Sequence, residues 1–227
     1  EPAGDTQAFT EVVHAEEDWE VLYSSEHDSE ADYWRWVRLI AGHPDVTSRE
    51  FAVFVPDPAP AGSGELTLHV NTRAFGPVHR VEVTLNGSSL GERSWRGGPE
   101  QALSFEFDQD LLDDNGTNTV RVEALGDSGL WIYVDSIDIE YQRLYRAVND
   151  ALLARGDGNQ TVTIDGFGTS EIWVLDVSET RDPKVMRKSA VGPGAEQGAF
   201  SVSFRPSSPE TPYVALTAGG LASPVAL

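Results

Sequence analysis

The stretch LLDDNGTNTVRVEALGDSGLWIYVDSIDIEY, residues 111–141, decides how this chain folds. It reads as a leucine pair, a polar turn ending at Asn118, an alternating strand, an acidic glycine loop and a second strand carrying Val134, Asp135, Ile137 and Tyr141. Residues two apart in an extended strand share a face, so Val120, Val122 and Ala124 line one side of the first of these strands. Upstream, VHRVEVTLNG (78–87) repeats the pattern, with Val81, Val83 and Leu85 turned inward, Glu82 and Thr84 outward, and Asn86-Gly87 making the turn. Further strand-like pieces are DWEVLY, YWRWVRLI, REFAVFV, GELTLHV and ALSFEF, with the Pro/Gly loop PDPAPAGSG (56–64) between two of them. Short strands with turn signals at this frequency predict an all-β sandwich rather than alternating α/β structure.

One segment reads otherwise. In RLYRAVNDALLA (143–154), Leu144, Val148, Ala151 and Leu152 recur at helical spacing. We place it at the junction of two domains, with the boundary near residues 146–158. Beyond it, NQTVTIDGF, SEIWVLDVS, AFSVSF and TPYVALTAG are again strands. The expected organisation is a jelly-roll sandwich over 1–150 and a smaller immunoglobulin-like sandwich over 151–227.

Composition bounds the chemistry. The chain has 227 residues, no cysteine, and 37 acidic against 16 basic residues, for a net charge of -21. The missing cysteines exclude disulfides, thiolate metal sites and cysteine nucleophiles from these residues. A surplus of carboxylates argues against nucleic acid as a partner, because neutralising phosphates needs a basic face. Residues 1–34 hold many carboxylates and no Lys or Arg, and only Lys184 and Lys188 are lysines. Such a low-lysine, high-acid balance points to an exported or salt-tolerant protein, at the cell surface or secreted. No apolar run approaches the roughly 20 residues that span a bilayer. EPAGDTQAF at the start lacks a basic n-region and apolar h-region, so an excised or mature product is expected.

Trp95, Trp131 and Tyr133 are the candidates for a glycan platform, Trp95 foremost because SWRGG reads as an exposed turn. Packing is the favoured alternative for each aromatic, since such side chains bury about 150–250 Å² in β cores. Trp34 and Trp36, two apart in DYWRWVRLI, are expected together on one inward face. Asp113, Asp114 and Asp127 lie in acidic turns that could supply oxygens to calcium, a possible but not required cofactor, although no stretch matches an EF-hand loop. Arg155-Gly156-Asp157 is an RGD tripeptide of little weight, and Asn86, Asn115 and Asn159 open N-x-Ser/Thr sequons. His14, His27, His43, His69 and His79 are scattered without metal-ligand spacing, and no nucleophile elbow or triad spacing is visible.

The 111–141 stretch resembles the closing strands of galactose-binding-like jelly rolls, in which an "L…G.N.v.v" strand is followed by a "vd.i.i.Y" strand. The order of DYWRWVRL, VTLNGSSLGERSWRG, VDSIDIEY and VTIDGFGTSEIWVLDVSETRDPKV resembles the non-catalytic region that precedes the catalytic domain of gingipain-type cysteine peptidases; residues 166–185 and 198–227 fit it best. The resemblance implies a module whose partner is a downstream peptidase domain of the same polypeptide, with the catalytic Cys and His outside this chain. It also implies strand rather than helix over 143–154. The expected work is scaffolding or engagement of substrate or surface, without catalysis. The rival readings are a stand-alone carbohydrate-binding module and a structural surface protein.

Overall fold

The structure is a computed structural model that describes residues 7–21, 33–72, 76–97, 100–113, 116–126 and 129–221. It is all-β. The strands in chain order are β1 (Ala8–Glu16), β2 (Glu20–Val21), β3 (Trp34–Arg35), β4 (Val37–Ile40), β5 (Ser48–Phe54), β6 (Ser63–Asn71), β7 (Val78–Leu85), β8 (Ser88–Arg96), β9 (Glu100–Asp108), β10 (Thr117–Leu125) and β11 (Trp131–Leu144). They continue with β12 (Ala151–Arg155), β13 (Val162–Phe167), β14 (Trp173–Asp176), β15 (Lys184–Val185), β16 (Ser189–Pro193), β17 (Phe200–Phe204) and β18 (Pro212–Leu216).

The first sandwich has jelly-roll architecture. One sheet runs β1-β11-β6-β9 with β4 also paired to β11, and the other runs β5-β10-β7-β8. Between them lies a core that includes Leu66, Leu68, Phe105, Val120, Val122, Ile137 and Ile139. Val81, Val83 and Leu85 are each 0% exposed, so the alternation read from 78–87 holds. Asn86 (φ 48°) and Gly87 (φ 83°) both take positive φ, which is the two-residue hairpin turn whose twist matches its strands. The hairpin that follows carries the chain into β8, so SWRGG begins as strand.

The expected pairing of Trp34 and Trp36 on one face fails. A bend at Trp36 separates β3 from β4, leaving Trp34 46% exposed while Arg35 is buried. The bend follows the partners available: Arg35 Nη1 reaches Asp135 Oδ1 at 3.1 Å, and the Trp36 ring packs on Phe51 at 4.5 Å.

The second sandwich is immunoglobulin-like, with sheets β12-β18-β14-β15 and β13-β17-β16 over a core built on Ile164, Phe167, Val174, Val202 and Tyr213. The segment 143–154 is not a helix. It finishes β11, turns at Asn149 and Asp150, both at positive φ, and enters β12. Leu152 and Ala154 face inward and Leu153 outward, the two-residue alternation of a strand. Contacts divide the chain into two compact units, one of Glu11–Gln142 and the other of the described residues through Thr10 together with those from Arg143 onward. This grouping is discontinuous, whereas the expectation from sequence was a single cut at residue 150.

Candidate functional site

The open feature of the first sandwich is a cleft of about 240 Å³ lined by Glu17, Trp19, Trp36, Arg49, Glu50 and Phe51, among others. Trp19 is 66% exposed, the most open tryptophan of the described residues. Its backbone is fixed, since its N–H donates to the Arg35 carbonyl at 3.1 Å while the Trp36 N–H donates to Val134 at 2.9 Å. Beside it β5 contributes Arg49 and Glu50, both exposed, and the buried Phe51 supports Trp36 from within. An indole stacks on apolar surfaces such as the C–H face of a sugar ring, and nearby carboxylates and a guanidinium accept from or donate to hydroxyls. The cleft therefore offers a mixed aromatic and polar lining of the type that orients small polar ligands. None of the sites read from the sequence included Trp19. DWEVLY looked like a strand, and only the exposure of its indole singles it out.

The three aromatic candidates separate. Trp131 opens β11 and is 40% exposed, with the Arg38 guanidinium 4.5 Å above its ring and Glu20 3.8 Å from Arg38. Stacked cation and ion pair hold that side chain against the sheet. Tyr133 meets Trp131 edge-on at 6.4 Å but is itself buried. Trp95, expected exposed, is 8% exposed and stacked on the fully buried His79 at 5.5 Å, because the β7–β8 hairpin extends through the SW pair. Trp95 and Tyr133 are thus packing residues, and Trp131 alone of the three presents open ring surface.

Of the acidic candidates, Asp114 and Asp127 lie outside the described residues, as do Asn115 and His27. Asp113 is exposed, and its N–H donates to Asn118 Oδ1 at 2.9 Å. The fully buried Asn118 also accepts from Asn86 Nδ2 at 2.8 Å, and Asn86 Oδ1 accepts from the Thr119 N–H at 2.8 Å. The asparagines of the 111–141 stretch and the hairpin are therefore a structural clamp joining two turns. Asn86 Nδ2 also donates to the Leu111 carbonyl at 2.8 Å, so this sequon amide is occupied; that of Asn159 donates to Ala8 O and Tyr145 Oη, both at 3.2 Å. Asp157 of the RGD tripeptide accepts from the Thr10 N–H at 2.8 Å and hydroxyl at 3.1 Å.

Two histidines far apart in sequence do meet. Asp138 lies between His14 Nδ1 at 2.6 Å and His69 Nε2 at 2.9 Å, tying β1, β11 and β6, and the hydrogen bond to Asp138 raises the His14 pKa above its usual value. Among the described residues no group of three or more His, Asp or Glu is arranged to hold a metal ion. In the second sandwich a cavity of about 300 Å³ is lined by Tyr145, Arg146, Thr163 and Asp165 among others. The Asp165 carboxylate there accepts from the N–H groups of Gly166 and Ala195, each at 2.8 Å, which makes it a loop anchor. No described helix is long and apolar enough to cross a membrane.

With both sandwiches and their surfaces in view, comparison with solved structures is informative about the architecture. It recurs in dimeric latent PorU from Porphyromonas gingivalis. The match covers 95% of this chain at a TM-score of 0.65 and 12% identity, and spans 21% of the PorU chain, about a fifth of its length. Looser likenesses, both at 15% identity and a TM-score of 0.37, cover 57% of this chain. One is a CBM36 carbohydrate-binding module in complex with calcium and xylotriose, 98% of it covered. The other is the CBM36-1 domain of a multidomain xylanase from the hindgut metagenome of Trinervitermes trinervoides, 95% of it covered. No protein-family model and no curated protein sequence matches the chain. The likeness to PorU bears on fold: the chain is built of β-sandwiches.

Proposed function

We propose that these residues form a non-catalytic pair of sandwiches serving an exported gingipain-type cysteine peptidase, as a scaffold for its catalytic domain or a surface that engages substrate. The observation that carries this reading is that both sandwiches, in this order, align over 95% of the chain with a fifth of a longer one. The order of motifs in 32–40, 83–97, 134–141 and 162–185 supports it independently, as does the absence of cysteine, which leaves the thiolate chemistry of such a peptidase to other residues. The test is to express the natural gene product with everything that follows Leu227, beside residues 1–227 alone. The longer product is expected to hydrolyse fluorogenic peptides and the shorter to hydrolyse none. Turnover by residues 1–227, lost on a single substitution, would overturn the reading.

A second reading is favoured by the Trp19 cleft: a carbohydrate-binding module in which Trp19 stacks on a sugar ring while Glu17, Arg49 and Glu50 hydrogen-bond its hydroxyls. On this reading a glycan array returns binders, and Trp19→Ala removes that binding in calorimetry while leaving the melting temperature unchanged, because a side chain 66% exposed adds little to the core. An array without binders, or binding untouched by Trp19→Ala, eliminates it. Calcium is required by neither reading.

A further inference from the structure

The sheet β12-β18-β14-β15 has two apolar faces. Its inner face supplies Leu152, Ala154, Val174, Tyr213 and Ala215 to the core. On its outer face Leu153 stands opposite Val214, Val214 opposite Leu175 and Leu175 opposite Val185, an aliphatic row that crosses all four strands. Directly opposed residues share a face, and four strands at their usual spacing make this row roughly 14 Å wide. Trp173, opposite Leu216, extends it by a second row. Leu153 is 58% exposed, Val185 59% and Trp173 44%, whereas Val214 and Leu175 between them are half-buried and Leu216 is 6% exposed. An antiparallel sheet facing water alternates apolar and polar residues, and single exposed apolar side chains are ordinary; a contiguous patch marks a surface that something covers.

The edge of that face has its own charge. Arg181, Arg187 and Lys188 are exposed beside β15, against Glu179 and Asp182 in the same stretch; Lys184, opposite Asp176, lies on the other face of the strand. Lys188 is one of only two lysines in a molecule of net charge -21. An apolar centre with a basic edge complements a surface that is apolar at its centre and acidic at its rim.

We infer that the outer face of β12-β18-β14-β15 is the seat of a folded domain of the same polypeptide, one whose contact surface carries carboxylates opposite β15. This rests on the reading that the two sandwiches serve a larger peptidase, for which the matched chain, mostly lying outside the aligned fifth, supplies the precedent of length. A second copy of this chain fits less well, since each copy brings a net charge of -21 and like fields repel.

Hydroxyl-radical footprinting tests the inference through Trp173, Leu153 and Val185. In residues 1–227 alone these side chains are expected to oxidise readily and independently of protein concentration, and in the full gene product their oxidation should drop severalfold. The paired substitution Leu153→Asp and Val185→Asp should leave the melting temperature of the short chain unchanged and restore Trp173 oxidation in the full product. Equal oxidation in short and full chains overturns the inference, and so does concentration-dependent protection in the short chain, which would assign the face to self-association. A full product that protects Trp173 yet hydrolyses no peptide refutes the peptidase reading and supports the docking face. An active peptidase whose Trp173 stays open does the reverse.

Discussion

Glu50, Arg121, Thr84 and Ser89 cross the outer face of β5-β10-β7-β8 in one row, as Leu153, Val214, Leu175 and Val185 cross that of β12-β18-β14-β15. Both sheets are antiparallel and four strands wide, and each has a buried inner row. The backbone problem is the same, so the difference lies in what the outer row is for. A row of carboxylate, guanidinium and hydroxyls keeps its hydration and stays soluble. An aliphatic row leaves contiguous apolar surface in water, at a cost of about 25 cal/mol for each Å² that a partner would cover. The two sandwiches also anchor their turns differently: the first uses the amide clamp between exposed Asn86 and buried Asn118, the second the buried phenol of Tyr145, which donates to the Arg155 carbonyl at 2.7 Å and stacks on Phe9 at 4.9 Å.

The largest expected effect tests whether the two cores are equals. Phe105→Ala in the first sandwich and Tyr213→Ala in the second, both at 0% exposure, should each cost about 3–5 kcal/mol in denaturant melts. By contrast Leu153→Ser on the outer row should change stability by about 0.5 kcal/mol or less. A large loss at Leu153 would mean that the row already packs on something in this chain. Next comes the clamp. Asn118→Ala removes the acceptor of the Asp113 N–H and one of the two acceptors of the Asn86 amide; both donors belong to exposed residues, so the expected cost is about 1 kcal/mol. A neutral result would show that water replaces it.

Alkaline titration separates the two sandwiches. Burial pushes the Tyr145 hydroxyl from 10.0 up to about 12. Below pH 10 the phenol is protonated in both folded and unfolded chains, and its contribution is fully present. Between pH 10 and about 12 the unfolded chain releases the proton and the folded one holds it, so stability falls as pH rises, by at most about 1.4 kcal/mol per unit. Tyr145→Phe should flatten that alkaline slope in thermal melts. An unchanged slope would place the sensitivity elsewhere.

How much of this could be read in advance depended on how local each signal was. Val81, Val83, Leu85 and the Asn86-Gly87 turn were legible because alternation and turn chemistry act within ten residues of chain. Asn118 was legible as a turn residue but not as a buried clamp, since its partner Asn86 lies in another hairpin. Trp95 was misplaced because SWRGG carries glycines that signal a turn, while pairing with β7 keeps the tryptophan in strand. The helical spacing of 143–154 was overridden by the ladder that β12 makes with β18. Trp19 went unremarked because the sequence carries no measure of exposure. The aliphatic row was invisible for a different reason: its members come from four separate strands, each of ordinary composition, and only the register assembles them.

The grouping of Phe9 and Thr10 with residues from Arg143 onward sets an order of events during synthesis. Asp157, which holds the Thr10 backbone, follows it by 147 positions. At about 5–20 residues per second, the ribosome delivers Asp157 many seconds after Thr10. Phe9 and Thr10 must wait for those partners until the second sandwich has emerged. Deleting the residues through Thr10 would therefore harm the second sandwich and spare the first, although those residues adjoin the first in sequence.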